Sequence, residues 1–190
     1  MKYINRELKG TKGYINRQRA FELIKTLLLF AMALGIFFMG LLTLHTKKSL
    51  WSVFAVLALL PACKSLVGFI MFARFSSIKD EEYSRYEDVC SGVERIYENV
   101  LTTSDRSYYV PVICSIGKNV IGYSPSSNRC DDKLRDHLMN VIKNAGYDVT
   151  VKIFDDERAF TARIASAKTN LAPDDKKDAA VLAAIRAVSL

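Results

Sequence analysis

Thr26–His45 reads TLLLFAMALGIFFMGLLTLH, twenty residues without one Lys, Arg, Asp or Glu. Ser49–Ala73, SLWSVFAVLALLPACKSLVGFIMFA, follows almost at once, and its one formal charge is Lys64. A bilayer core about 30 Å thick takes roughly 20 apolar helical residues to cross. Both runs meet that length, and only a few polar residues separate them. The pattern predicts a transmembrane helical hairpin over residues 26–75. A basic cytoplasmic tail, 1–25, precedes it, and a cytoplasmic α+β domain, 76–190, follows.

The charge is distributed accordingly. The chain has 190 residues and a formal net charge of +7. Lys2, Arg6, Lys9, Lys12, Arg17, Arg19 and Lys25 stand against Glu7 and Glu22 in the first 25 residues, and Lys47 and Lys48 lie in the loop. From Arg74 onward 17 basic residues face 18 acidic ones. A nearly neutral domain argues against a phosphate-tracking groove, and so against a nucleic-acid partner. Basic residues near span ends stay on the cytoplasmic side, so both termini are expected inside and the His45–Leu50 loop outside, with Trp51 at the outer interface. The long charged leader, the full-length apolar run and the lack of an A-x-A site argue against a cleaved signal peptide. The tail, with YINR at Tyr3–Arg6 and Tyr14–Arg17, suits topology setting and contact with anionic headgroups.

Small residues let helices approach closely in lipid. Ala31 and Gly35 form a small-xxx-small pair in the first span. Ser52, Ala55, Ala58, Ala62 and Ser65 form a stripe in the second. These stripes are expected either to face each other or to mediate oligomer contacts. Pro61 can kink the second span. Lys64 lies about 15 Å inside the Arg74 end at the helical rise and points away from Ala55 and Ala62. It is a candidate for an intramembrane contact with a partner, with snorkelling to the inner headgroups as the alternative. The stretch LLPACKSLVGFIMFARF, Leu59–Phe75, together with the two-span layout, resembles uncharacterised bacterial two-span membrane proteins with a cytoplasmic domain. The resemblance covers mainly residues 1–75 and brings no activity or site residue with it.

The remaining pattern predicts elements in the order α-β-β-α-β-α-α, a small mixed three-stranded sheet with helices. Apolar positions from Tyr83 to Leu101 fall on one face of a helix over Lys79–Leu101. Tyr108–Ser115 and Asn119–Ser124 read as strands around a Gly117-Lys118 turn, with Pro111 marking the first as an edge. A helix over Cys130–Ala145 ends at Gly146. Val149, Val151 and Ile153 alternate as a third strand, parallel to the second. Helices follow over Asp156–Lys168 and Asp174–Val188, with Asp155 and Asp174 as N-caps.

Ligands in open α/β folds gather beyond the C-terminal ends of parallel strands. That places Ser124, Ser126, Ser127, Asn128 and Arg129 before a helix N-terminus, where an anion could bind. Asp131 and Asp132 in its first turn would repel a phosphate. With Asp155, Asp156 and Glu157 they could instead bind Mg²⁺ or Ca²⁺, though acidic first turns are ordinary caps. Cys130 and His137, seven apart, share a helix face without an evident third group. Cys63, Cys90, Cys114 and Cys130 form no C-x-x-C pair and suit small buried side chains. No cofactor or metal is expected. The leading expectation is a membrane-anchored interaction or scaffold protein that works through a protein partner or self-association. The alternatives are a membrane-tethered enzyme or metal-dependent module using the 124–132 and 155–157 loops, and a small regulatory subunit of a membrane transport complex.

Overall fold

A computed structural model describes residues 9–44, 50–103, 106–125, 132–171 and 174–190. The chain divides into two compact units, one of Ile15–Ser76 and one of Ser77–Leu190 together with the N-terminal residues through Tyr14.

The hairpin unit consists of α1 (Tyr14–Leu44) and α2 (Leu50–Ala73). Both helices are long and apolar enough to span a membrane. A helix from the core of a soluble protein would bury its large apolar side chains, but Leu28, Phe38, Leu42, Phe54, Leu60 and Ile70 are exposed here. Along α2 the inward positions are Ala55, Ala58, Ala62, Ser65 and Phe72. Their 3-4-3-7 spacing is that of a helix packed along a heptad seam. Of the stripe expected on α2, Ala55, Ala58, Ala62 and Ser65 are the packed positions, and the side chain of Ser52 lies outside the described residues. On α1 the expectation that Ala31 and Gly35 face α2 is corrected, while their alternative role in oligomer contacts is not touched by this. Ala31 and Gly35 are exposed, with open space around Gly35, and among the described residues of the apolar run the buried positions are Thr26, Ala33 and Gly40. Those three are seven residues apart and match the seam of α2, whereas the Ala31–Gly35 spacing belongs to a different face.

The second unit contains α3 (Asp80–Val89), β1 (Glu94–Thr102), β2 (Ser107–Ile116), β3 (Asn119–Tyr123), α4 (Asp132–Asn144), β4 (Thr150–Phe154), α5 (Glu157–Asn170) and α6 (Asp175–Val188). It is an α+β fold with a four-stranded mixed sheet, order β1-β2-β3-β4. The β1/β2 and β2/β3 pairs are antiparallel and β3/β4 is parallel, as the β3-α4-β4 unit requires.

The sheet has one strand more than the sequence pattern predicts. The helix expected over Lys79–Leu101 stops at Val89, and Gly92, at φ 72°, turns the chain into β1. The doublets Ile96-Tyr97 and Val100-Leu101 are four apart and mimic a helical face. They belong to a strand buried on both sides, which needs no polar alternation. With β1 present, the strand containing Pro111 lies inside the sheet and not at its edge.

Helices cover both faces. Leu134, Leu138 and Ile142 of α4 and Val181, Leu182 and Ile185 of α6 pack on one side with Ile96, Leu101, Val110 and Ile113. Tyr86 of α3 and Phe160, Ile164 and Ala167 of α5 pack on the other with Tyr97, Val112, Cys114 and Ile121. The outer edge of β1 is closed locally. The Tyr97 N–H donates to the Gly10 carbonyl at 2.9 Å, and the Leu190 N–H donates to the Val100 carbonyl at 2.9 Å. Both contacts satisfy edge groups that otherwise invite pairing with another chain.

Candidate functional site

Glu98 lies in the middle of β1 with φ 51° and is 1 % exposed. A buried carboxylate is tolerated only where donors surround it. Its Oε1 accepts the Gly13 N–H at 2.9 Å and the Ile78 N–H at 3.1 Å, and Ser77 Oγ donates to the same oxygen. Gly13 immediately precedes α1, and Ser77 and Ile78 follow α2. One carboxylate therefore holds both segments that connect this unit to the hairpin. Gly13 has φ 78° and no atom within 4 Å of where a Cβ would stand, so glycine is needed there for backbone conformation and not for space.

Further contacts hold the same segments. Lys12 pairs with Asp80 at the start of α3 and lies 4.5 Å from the ring centroid of Tyr83. Lys12 keeps the Asp80 carboxyl below its ordinary range, through a hydrogen bond and its charge. Lys9 Nζ donates to the Ser189 carbonyl at 2.7 Å. In the structure Lys9, Gly10, Lys12 and Gly13 of the tail thus rest on the α+β unit, whereas the charge pattern suggests headgroup contact.

A second buried carboxylate, Asp178 of α6, fixes the opposite end of the sheet. It accepts Ser115 Oγ at 2.7 Å, the Gly117 N–H at 2.9 Å and the Asp174 N–H at 3.2 Å. These contacts pin the β2–β3 turn to α6.

The edge expected to bind a ligand is occupied by structural contacts at its described residues. Ser124 is buried; its N–H donates to the Phe154 carbonyl at 2.9 Å and its Oγ to the Tyr109 carbonyl at 2.8 Å. Asp156, and not Asp155, caps α5, accepting the Arg158 and Ala159 N–H groups at 3.3 and 3.2 Å. Asp155 is exposed. Glu157 pairs with Arg85 at 3.1 Å, and Asp132 pairs with Arg135 at 3.2 Å. Beneath them Tyr86, Tyr123 and Phe160 form a chain of tilted rings with centroids 5.8 Å apart. A shallow groove of about 430 Å³ runs along Glu157, Arg158, Thr161 and Ala162. No group of three or more His, Cys, Asp or Glu side chains stands ready for a metal ion among the described residues. Ser126, Ser127, Asn128, Arg129, Cys130 and Asp131 lie outside the described residues. His137 is half-buried on α4, and its Nε2 has no hydrogen-bond partner.

In the hairpin, Lys64 is exposed on α2, on the side away from Ala62. The polar contact between the helices is made by its neighbour. Ser65 Oγ donates to Glu22 Oε2 at 2.8 Å, and the carboxylate lies over Gly68, 3.5 Å from where a Cβ would be. Lys25 Nζ approaches the same oxygen at 3.4 Å.

The three carboxylates differ in how far their roles can be read from the sequence. Asp178 was legible, because it shares the i, i+3, i+4, i+7 face of Val181, Leu182 and Ile185. Glu98 was hidden by the helical reading of its segment. Glu22 sits at the polar start of the first run and reads as a tail residue. No protein-family profile, curated protein or solved structure matches this chain.

Proposed function

We propose that this protein is a membrane-anchored interaction module. Its hairpin lies in the bilayer, both termini are cytoplasmic, and the α+β unit is presented at the inner face to a protein partner or a second copy. The observation that carries this reading is Glu98. A buried carboxylate at the edge of the sheet takes donors from Gly13 before the hairpin and from Ser77 and Ile78 after it. Its two connecting segments are thereby built into the fold of the α+β unit itself, which suits a unit that works as an anchored binding surface. The charge asymmetry of the tail and loop supports the sidedness.

The test is purification of the full chain in mild detergent, with mass measured by light scattering and in-cell crosslinking. A stoichiometric complex or dimer is the expected result. A lone protein that carries a bound metal or nucleotide would overturn the reading in favour of the tethered enzyme. A C-terminal reporter that proves extracytoplasmic would overturn the sidedness.

A second reading, a regulatory subunit of a transport complex, is favoured by the exposure of Lys64 among apolar side chains. Such a lysine is costly in lipid unless it pairs or snorkels. Lys64→Leu should then abolish recovery of the complex, and unchanged recovery would remove this reading.

A further inference from the structure

We propose that Cys90 and Cys114 form a reversible disulfide, a redox lock that ties the end of α3 to β2. Both are free cysteines, both are completely buried, and their sulfurs lie 2.9 Å apart. Cys90 is the C-cap of α3, and Cys114 pairs with Arg95 and Ile121 inside the sheet. The two residues are 24 apart in sequence, so only the fold brings them together. A disulfide, with sulfurs about 2.05 Å apart, requires them to close by less than about 1 Å.

The surroundings give the two thiols different roles. The Cys114 S–H donates to Cys90, and this hydrogen bond is the main reason the Cys90 thiol sits below its ordinary range, with Arg95 and Lys168 adding positive charge. The same contact and deep burial push the Cys114 thiol up. Arg95 Nη1 donates to the Cys90 carbonyl at 2.8 Å, and Lys168 Nζ reaches Ser91 Oγ at 3.5 Å, so both cations flank the turn. The attacking sulfur is assigned to Cys90, which sits at the helix end flanked by Arg95 and Lys168, whereas Cys114 lies inside the sheet. Reaction with an outside disulfide requires local opening of α3, which fully buries only Tyr86 along its ten residues.

The co-oxidant is a small-molecule disulfide such as oxidised glutathione. The Cys90 thiolate attacks one of its sulfurs, the S–S bond breaks, and one thiol leaves with a mixed disulfide formed. Cys114 loses its proton and attacks the Cys90 sulfur, forming the internal bond and releasing the second thiol. Two protein thiols are oxidised and one external disulfide is reduced to two thiols. Disulfides of this kind in a reducing compartment are transient and sense redox state.

The experiment uses the full chain in detergent micelles, equilibrated with oxidised and reduced glutathione, then denatured, alkylated and digested for mass spectrometry. The expected product is a peptide pair linked through Cys90 and Cys114, reversed by dithiothreitol. The amides of Asp80–Val89 should exchange several-fold more slowly in the oxidised form. Cys114→Ala should trap glutathione on Cys90, whereas Cys90→Ala should leave Cys114 unmodified. Recovery of both cysteines alkylated under oxidising conditions would overturn the proposal, and so would a linkage of either one to Cys63 or Cys130.

Discussion

Glu98 of β1 and Pro111 of β2 stand opposite each other in an otherwise continuous antiparallel ladder, and the sheet exchanges its faces at that point. The pairing runs from Glu94 with Ser115 to Tyr97 with Val112, skips one position, and resumes at Asn99 with Val110 in the same register. Ile96 and Leu101 nevertheless share one core layer although they are five apart, and Tyr108, Val110 and Ile113 share it as well. Strict alternation would separate them. The positive φ of Glu98 reverses the strand there, and Pro111, which has no N–H, leaves no ladder donor unpaired opposite it. The same reversal aims the carboxylate at Gly13, Ser77 and Ile78.

Replacing Glu98 should separate the connections from the sheet. Glu98→Ala leaves three donors without their acceptor and should destabilise the unit by about 2–4 kcal/mol. Glu98→Gln keeps an acceptor oxygen and should cost about half as much. Thermal unfolding of the detergent-solubilised chain measures the loss, and hydrogen exchange at Gly13 and Ile78 locates it. Unchanged exchange at both amides in Glu98→Ala would show that the carboxylate does not hold them.

Asp178 should be the corresponding anchor for α6. Asp178→Ala leaves the Gly117 N–H and Ser115 Oγ without the carboxylate and should lower stability by about 2–4 kcal/mol. Ser115→Ala removes one neutral donor and should cost about 1 kcal/mol. If denaturant melts put Ser115→Ala at or above Asp178→Ala, the carboxylate is not the centre of this network.

Within the hairpin, Glu22 and Ser65 should contribute modestly, since polar contacts between membrane helices are worth roughly 0.6–2 kcal/mol. Gly68→Ala places a methyl 3.5 Å from the carboxylate, an ordinary contact, and should be tolerated. Gly68→Leu should displace Glu22 and weaken packing of α1 on α2. Disulfide trapping between cysteines placed at Ala33 and Ala58 would report this as slower crosslinking. Equal rates for Leu and Ala at position 68 would contradict the contact.

The Lys12–Asp80 pair should make tail docking acid-sensitive. Asp80 in the folded chain titrates below its ordinary value of 3.8. A depressed folded value means that the pair contributes fully above the unfolded value and fades as pH falls through the folded one. The Tyr97 amide, which donates to Gly10, should keep constant protection from neutral pH down to about pH 4 and lose part of it below. The effect is small because Asp80 is exposed. Asp80→Asn should remove the acid step, and parallel curves for the two proteins would assign the step to other groups.

The alternation of Val149, Val151 and Ile153, the Asp174 cap and the turn residues place β4, α4, α5 and α6 nearly where they stand, because those elements have one buried face and show it as periodicity. β1 left no such trace, since its two buried faces remove the polar positions that distinguish strand from helix. The candidate edge was located by topology, but the partners of Ser124, Asp156 and Glu157 depend on Tyr109, Arg158, Ala159 and Arg85, which chain order does not single out.

Local pattern alone determined two membrane-length apolar helices and an α+β remainder, because hydrophobic length and period are properties of neighbouring residues. Tertiary structure decided the fourth strand, the exchange of faces at Glu98, the seam at Thr26, Ala33 and Gly40, and the approach of Cys90 to Cys114. Each of these depends on groups far apart in the chain, and a buried carboxylate or thiol acquires its role only from the donors that folding brings to it.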